Sequence, residues 1–110
     1  MRITIPVAKV LAALLAEPDE QHYGLDLMRL TGLPSGTLYP VLHRLQGAGW
    51  LASDWEAIDP ATAGRPARRY YRLTAEGVAQ ARRTLAELRA AIPDGRPSWG
   101  VTEPTGAPAW

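Results

Sequence analysis

The sequence predicts a mainly α-helical fold with a small β-hairpin, arranged as a winged helix-turn-helix. Three observations predict it. Apolar residues recur at helical spacing in three successive segments before residue 47, the last two joined by a short glycine-containing link. Two strand-like segments then flank a basic loop rich in Gly and Pro. A final helical segment follows with a heptad pattern. The expected order is helix, helix, helix, strand, wing, strand, helix. With 110 residues the chain supports one small domain, expected over 1–92 and followed by a flexible tail over 93–110.

Residues 5–16 read as the first helix. Val7, Val10, Leu11, Leu14 and Leu15 make a broad apolar face, and Pro6 is tolerated in a first turn. Lys9 alone interrupts the middle with charge, so the helix either completes the domain's own core or meets a second subunit. Val7, Val10, Leu11 and Leu14 are the candidates for that interface. Residues 17–21 form a polar turn with Pro18, from which Asp19 could cap the next helix, although a start near Gln21 fits equally well. A second helix is expected over 22–30, with Tyr23, Leu27 and Leu30 inward and Leu25 and Met28 at its edge. Asp26 and Arg29 form a surface pair at i, i+3, worth a few tenths of a kcal/mol.

The third helix follows the breaker cluster Gly32, Pro34 and Gly36. Leu38, Val41, Leu42 and Leu45 keep i, i+3, i+4, i+7 spacing, Ser35 is the expected N-cap, and Gly47 and Gly49 are stop signals. Pro40 removes a backbone donor and presses on the carbonyl of Gly36. Either regular helix starts near Tyr39 or the first turn is irregular, and the flexibility of Gly36 favours the second. Opposite the leucines stand Thr37, Tyr39, His43 and Arg44, groups suited to phosphates and base edges. With Ser35, Gly36 and Pro40 they form the candidate DNA-reading surface, although a solvated His43 and a packing Tyr39 are equally ordinary roles.

Residues 50–56 alternate through Leu51, Ser53 and Trp55 as a half-buried strand does. Residues 57–67 hold Pro60, Gly64 and Pro66 and read as loop; 68–73 read as a second strand, with Arg69, Tyr71 and Leu73 on one face and Arg68, Tyr70 and Arg72 on the other. Two strands joined by a basic loop after a reading helix make a wing, whose Arg65, Pro66, Arg68 and Arg69 are placed to meet phosphate or enter a minor groove. Thr74 is the expected cap of the last helix, with Glu76 near its positive end. Val78, Ala81, Leu85, Leu88 and Ile92 are spaced 3, 4, 3, 4, a two-heptad seam flanked by Arg82, Arg83 and Arg89. That seam suits a dimer contact, or else folding onto the chain's own domain. The remaining 18 residues hold four Pro and three Gly without periodicity; the roles of Trp99 and Trp110 are not readable from spacing.

Charge is nearly balanced overall at +1 but unevenly spread. Residues 1–59 carry four cations against seven acids, net −3, whereas 60–92 carry seven arginines against Glu76 and Glu87, net +5. Such asymmetry suits a polyanion on one side, or simply a solvated basic helix. Cysteine is absent, which excludes disulfides and thiolate metal sites. No apolar run approaches the ~20 residues of a membrane span, and the first residues lack a signal-peptide pattern, so the cytoplasm is the expected location. His22 and His43 lie on different elements without ligand-spaced partners, and no glycine-rich phosphate loop occurs. Neither an enzyme, a cofactor nor a metal is expected.

Several of these stretches, in this order, resemble the PadR family of transcriptional regulators. They are H-Y-G-L-D-L at 22–27, S-G-T-L-Y-P-V-L-H-R-L at 35–45, G-W-L at 49–51, G-R-P at 64–66 and Y-Y-R-L-T-A-E-G at 70–77, so the likeness extends over about 7–91. The resemblance implies a winged-helix homodimer, usually a repressor, that binds a pseudo-palindromic operator near its own or a neighbouring gene. The chain is similar to the short subgroup without a large C-terminal domain, in which the last helix pairs with the partner's first helix. Some short members hold flat aromatic drugs between aromatic side chains at the dimer centre. Here the last helix has no aromatic, so a small-molecule effector, if one exists, is left unspecified. The competing expectation is a winged-helix protein-interaction module without DNA binding, which the acidic first half permits.

Overall fold

A computed structural model describes residues 1–92 of the chain. The elements are α1 (Ile5–Ala16), β1 (His22–Tyr23), α2 (Gly24–Thr31), α3 (Ser35–Gly47), β2 (Leu51–Trp55), α4 (Pro60–Ala63), β3 (Arg69–Leu73) and α5 (Ala75–Ala90). The strands form an antiparallel sheet in the order β1-β3-β2. The fold is therefore the expected one, with a three-stranded sheet in place of a bare hairpin. The tail and its two tryptophans lie outside the described residues. Among the described residues no helix is long and apolar enough to cross a membrane.

The core follows the apolar periodicities. Val7, Val10, Leu11 and Leu14 of α1 are fully buried, as are Leu27 of α2 and Leu38, Leu42 and Leu45 of α3. Leu51, Tyr71 and Leu73 close the cluster from the sheet, and Ala81 from α5. Helix α1 packs against α2, α3 and α5 at once. The four α1 residues expected at a subunit interface are thus already covered within one chain, and so is Ala81. Val78 and Leu85 are half-buried against this core, and Leu88 and Ile92 keep part of their surface in water.

Several local expectations are corrected. Residues His22 and Tyr23 are strand rather than helix, paired with Tyr71 and Tyr70. The free edge of β3 supplies hydrogen-bond partners there that a first helical turn would leave unmatched. Leu30, expected inward, is 64% exposed, because the buried stripe of α2 is Gly24, Leu27 and Thr31, from which Leu30 is rotated by about a quarter turn. Pro34, not Ser35, is the N-cap of α3, and Ser35 is its first helical residue. Helix α3 runs unbroken through Pro40, with Thr37 and Leu38 N–H both donating to the Pro34 carbonyl at 3.0 and 2.9 Å. The expected loop over 57–67 contains one helical turn, α4, capped by Asp59, whose carboxylate accepts from Ala61 N–H at 3.1 Å and Thr62 Oγ1 at 2.9 Å.

The end of α3 fixes how the sheet departs from it. Gly49 adopts φ +81°, Trp50 N–H donates to the Leu45 carbonyl at 3.0 Å and Gly49 N–H to the Gln46 carbonyl at 3.0 Å. This paired pattern is the Schellman motif, with Trp50 and Leu45 packed together in the core beside it. The return to α5 closes on the same two residues. Thr74 N–H donates to the Trp50 carbonyl at 3.0 Å, the Thr74 hydroxyl donates to the Gly49 carbonyl at 2.7 Å, and that hydroxyl accepts from Gly77 N–H at 2.9 Å as the α5 cap.

Gly77 lies so close to Trp50 that a Cβ there would collide with the Trp50 carbonyl and stand 3.0 Å from its Cα. Both contacts are backbone, so neither can swing away. Gly47, by contrast, is helical with open space around it. Gly77→Ala is expected to destabilise by ~1–3 kcal/mol, whereas Gly47→Ala should stabilise by ~0.5–1 kcal/mol. Thermal melts of the two variants check both signs.

Candidate nucleic-acid interface

Helix α3 presents two different sides. Leu38, Val41, Leu42 and Leu45 face inward, while Ser35, Gly36, Pro40, His43 and Arg44 are exposed, Tyr39 is 43% exposed and Thr37 is half-buried. The outward set contains hydroxyls, an imidazole and a guanidinium on about three turns of helix, and no acid. Tyr39 is braced from behind: a Cβ on Gly24 would overlap its hydroxyl and stand 2.8 Å from its Cζ. The absent side chain at the start of α2 lets the tyrosine ring lie across that backbone. Gln46 Nε2 donates to Ser53 Oγ at 2.8 Å, tying the far end of α3 to β2.

The wing is organised by a residue that its sequence pattern does not advertise, Glu56. Arg65 donates to its carboxylate twice, at 2.7 and 3.2 Å; Arg68 N–H donates to it at 2.9 Å and the Tyr23 hydroxyl at 3.3 Å. The Glu56 backbone N–H also donates to the Arg68 carbonyl at 2.8 Å. The Arg65 guanidinium and the Arg68 N–H together hold the Glu56 carboxyl down to about 2. Arg65, expected to meet phosphate or enter a minor groove, is engaged with Glu56 in the wing and keeps part of its side chain exposed. Of the three acids ahead of the basic loop, Asp54, Glu56 and Asp59, it is Glu56 that meets Arg65.

Arg68 and Arg69 are the wing cations that face outward. Arg68 lies with its guanidinium 6.0 Å from the Tyr23 ring centre, and Tyr23 meets Tyr70 edge-on at 6.4 Å. Arg69 stacks over the exposed Trp55 ring at 5.5 Å and donates to Ser53 Oγ from Nε at 3.2 Å and Nη2 at 2.8 Å. Aromatic faces support both cations without neutralising them. Pro66 is exposed at the wing's end. Where the wing meets the helices, a cavity of about 340 Å³ is lined by Tyr23, Gly24, Leu25, Tyr39, Arg68, Arg69 and Tyr71. The structure therefore gathers Tyr39, Arg68 and Arg69, three of the expected residues, around one opening. Tyr23, Gly24, Leu25 and Tyr71 were missed because the pairing of β1 with β3, which brings this stretch beside Tyr70 and Tyr71, joins residues almost fifty positions apart.

Comparison with known proteins bears on this geometry. The model of the transcriptional regulator PadR-like family matches residues 10–83. The transcriptional regulator Rv3488 of Mycobacterium tuberculosis is 50% identical over 56 residues, which cover 48% of this chain and 48% of that protein. The matched part thus spans about half the length of that curated relative. Among solved structures, a PadR family transcriptional regulator from Eggerthella lenta is 30% identical, with 74% of this chain and 72% of that chain covered and a TM-score of 0.60. A PadR-like transcription factor from Bacteroides fragilis, at 24% identity, shares the fold at a TM-score of 0.63 over 77% of this chain and 81% of its own.

The Glu56 hub carries a pH dependence of known sign. A carboxyl held below its ordinary 4.5 contributes stability that is present above that value and lost as pH falls toward about 2. Wing order, followed by the indole N–H resonance of Trp55, should therefore persist through pH 4 and fail on approach to 2. Glu56→Gln should remove that acid transition and loosen the wing at neutral pH.

Proposed function

Because the chain belongs to the PadR-like family of transcriptional regulators, we propose that it is a sequence-specific DNA-binding regulator acting as a homodimeric repressor on a pseudo-palindromic operator. The observation that carries this reading is the shared opening between α3 and the wing. Tyr39, on the exposed side of the helix, and Arg68 and Arg69 line one cavity mouth. A duplex laid along α3 with its major groove on Ser35, Gly36, Thr37, Tyr39, Pro40, His43 and Arg44 brings its flanking backbone to Arg68, Arg69 and Pro66. Arg65 acts one step back, setting the hairpin's shape through Glu56. A regulator of this kind works in the cytoplasm.

The partner chain is proposed to cover the side of α5 left half-bare by its own core. Val78, Leu85, Leu88 and Ile92 supply the seam. Two copies related by a two-fold axis would then place their reading helices about one helical turn of DNA apart.

Two measurements test these parts separately. In fluorescence polarisation against the region upstream of its own gene, Arg68→Ala should weaken binding to every duplex alike and lower the salt slope by ~1. An unchanged slope removes the wing from the interface. Failure of the native chain to bind any duplex, together with stable association with another protein, would favour an interaction module instead. Leu88→Lys should shift sedimentation from dimer to monomer and reduce operator affinity, because a cation cannot be buried in the seam without a partner.

A further inference from the structure

The cavity between α2, α3 and β3 holds a group that the fold leaves unused. Tyr71 is 6% exposed, and no hydrogen bond to another described residue is among the influences on its phenol. Buried hydroxyls without partners are costly and call for an explanation. Tyr71 lines the cavity, and the groups whose charge its phenol feels, Arg69 and Tyr39, line it too. Burial raises the Tyr71 phenol above its ordinary value, so it stays a neutral donor.

Three further features point the same way. Helix α2 begins at this cavity with Gly24 and Leu25, and its first turn has no side-chain cap. Its free N–H groups are donors in want of an acceptor. The fixed charges on the lining are the Arg68 and Arg69 guanidiniums, with no carboxylate among the seven residues. Glu56 lies behind Tyr23, and its charge is taken up by Arg65. A site made of donors and cations, with no acceptor of negative charge on its wall, fits an anion that has several acceptor oxygens.

We propose that this cavity seats one backbone phosphate of the bound duplex, held by the Tyr71 hydroxyl, the first-turn N–H groups of α2 and the Arg68 guanidinium. The inference rests on the DNA-binding reading above and deepens it by assigning Tyr71 and α2 to the interface. The Tyr39 hydroxyl, resting on Gly24 at the cavity wall, is positioned to add a fourth donor. The contact fixes the register of the duplex on the protein and carries no base preference.

The test is a scan in which each phosphate of a bound operator duplex is replaced in turn by a neutral methylphosphonate. With the native chain, one position per half-site should cost about tenfold in affinity, as loss of a charge-assisted hydrogen bond does. Tyr71→Phe keeps the ring in the core and removes only the hydroxyl. It should lower affinity for the unmodified duplex about tenfold with an unchanged salt slope, and the methylphosphonate at the sensitive position should then cost little more. Tyr39→Phe, at an exposed position, should reduce the same penalty partway and does not depend on Tyr71→Phe folding.

If the native chain binds its operator and shows no sensitive position, or if Tyr71→Phe leaves the penalty intact, the phosphate seat is wrong while DNA binding stands. If inorganic phosphate shifts the Leu25 amide resonance but no methylphosphonate position is sensitive, the occupant is a free anion and not the duplex. Absence of binding to any duplex overturns both readings together.

Discussion

The geometry of the molecule hangs on a junction only four residues wide. Gly49 and Trp50 end α3, Thr74 and Gly77 begin α5, and their backbones are laced together by the Trp50 carbonyl and the Thr74 hydroxyl. Everything between these two points, including both long strands and the wing, leaves and returns through that gate. The gate is narrow because Gly77 has no side chain and because Gly49 can take a left-handed turn. The direction of the wing relative to α3 is therefore set by backbone contacts. Such contacts resist change more than side-chain packing does, since no rotamer can relieve them.

Beyond the gate, the outer surface is held by polar contacts of modest reach. Glu56 gathers Arg65, the Arg68 backbone and Tyr23, so one carboxylate links the wing loop to β3 and to the edge strand β1. Ser53 performs a similar office nearer the helix, accepting from Gln46 on one side and Arg69 on the other. The Glu56 pair is only partly exposed, the Arg69–Ser53 contact more so, and solvent screening keeps the worth of each individual pair small. Their importance is geometric. They decide which arginines point outward and which are consumed within the chain.

Much of the architecture was legible from periodicity and punctuation. Helix α1 matched its pattern end to end, Thr74 capped α5, and Gly47 with Gly49 marked the close of α3. The errors have a common source in partners that lie far away along the chain. His22 and Tyr23 carry a pattern compatible with helix, and only the waiting edge of β3 makes them strand. Leu30 looked inward because Tyr23, counted on the helix, draws the apolar stripe through Leu30 instead of Thr31. In the candidate site, the exposed row on α3 was readable because it is the complement of the leucines. The engagement of Arg65 was not, because a sequence of cations does not say which of them has found an acid. Nor does spacing alone reveal that Tyr71 lacks a partner, since that follows from what every neighbour fails to offer.

The rest of Tyr39 on bare backbone at Gly24 has a mechanical consequence. Where α2 and α3 touch through a ring lying on a main chain, neither can move closer without displacing the other. On the proposed function, fitting a duplex to that face then falls more to the duplex than to the protein. Part of the sequence preference would then be elastic, set by how readily particular base steps roll or kink at places that no amino acid reaches.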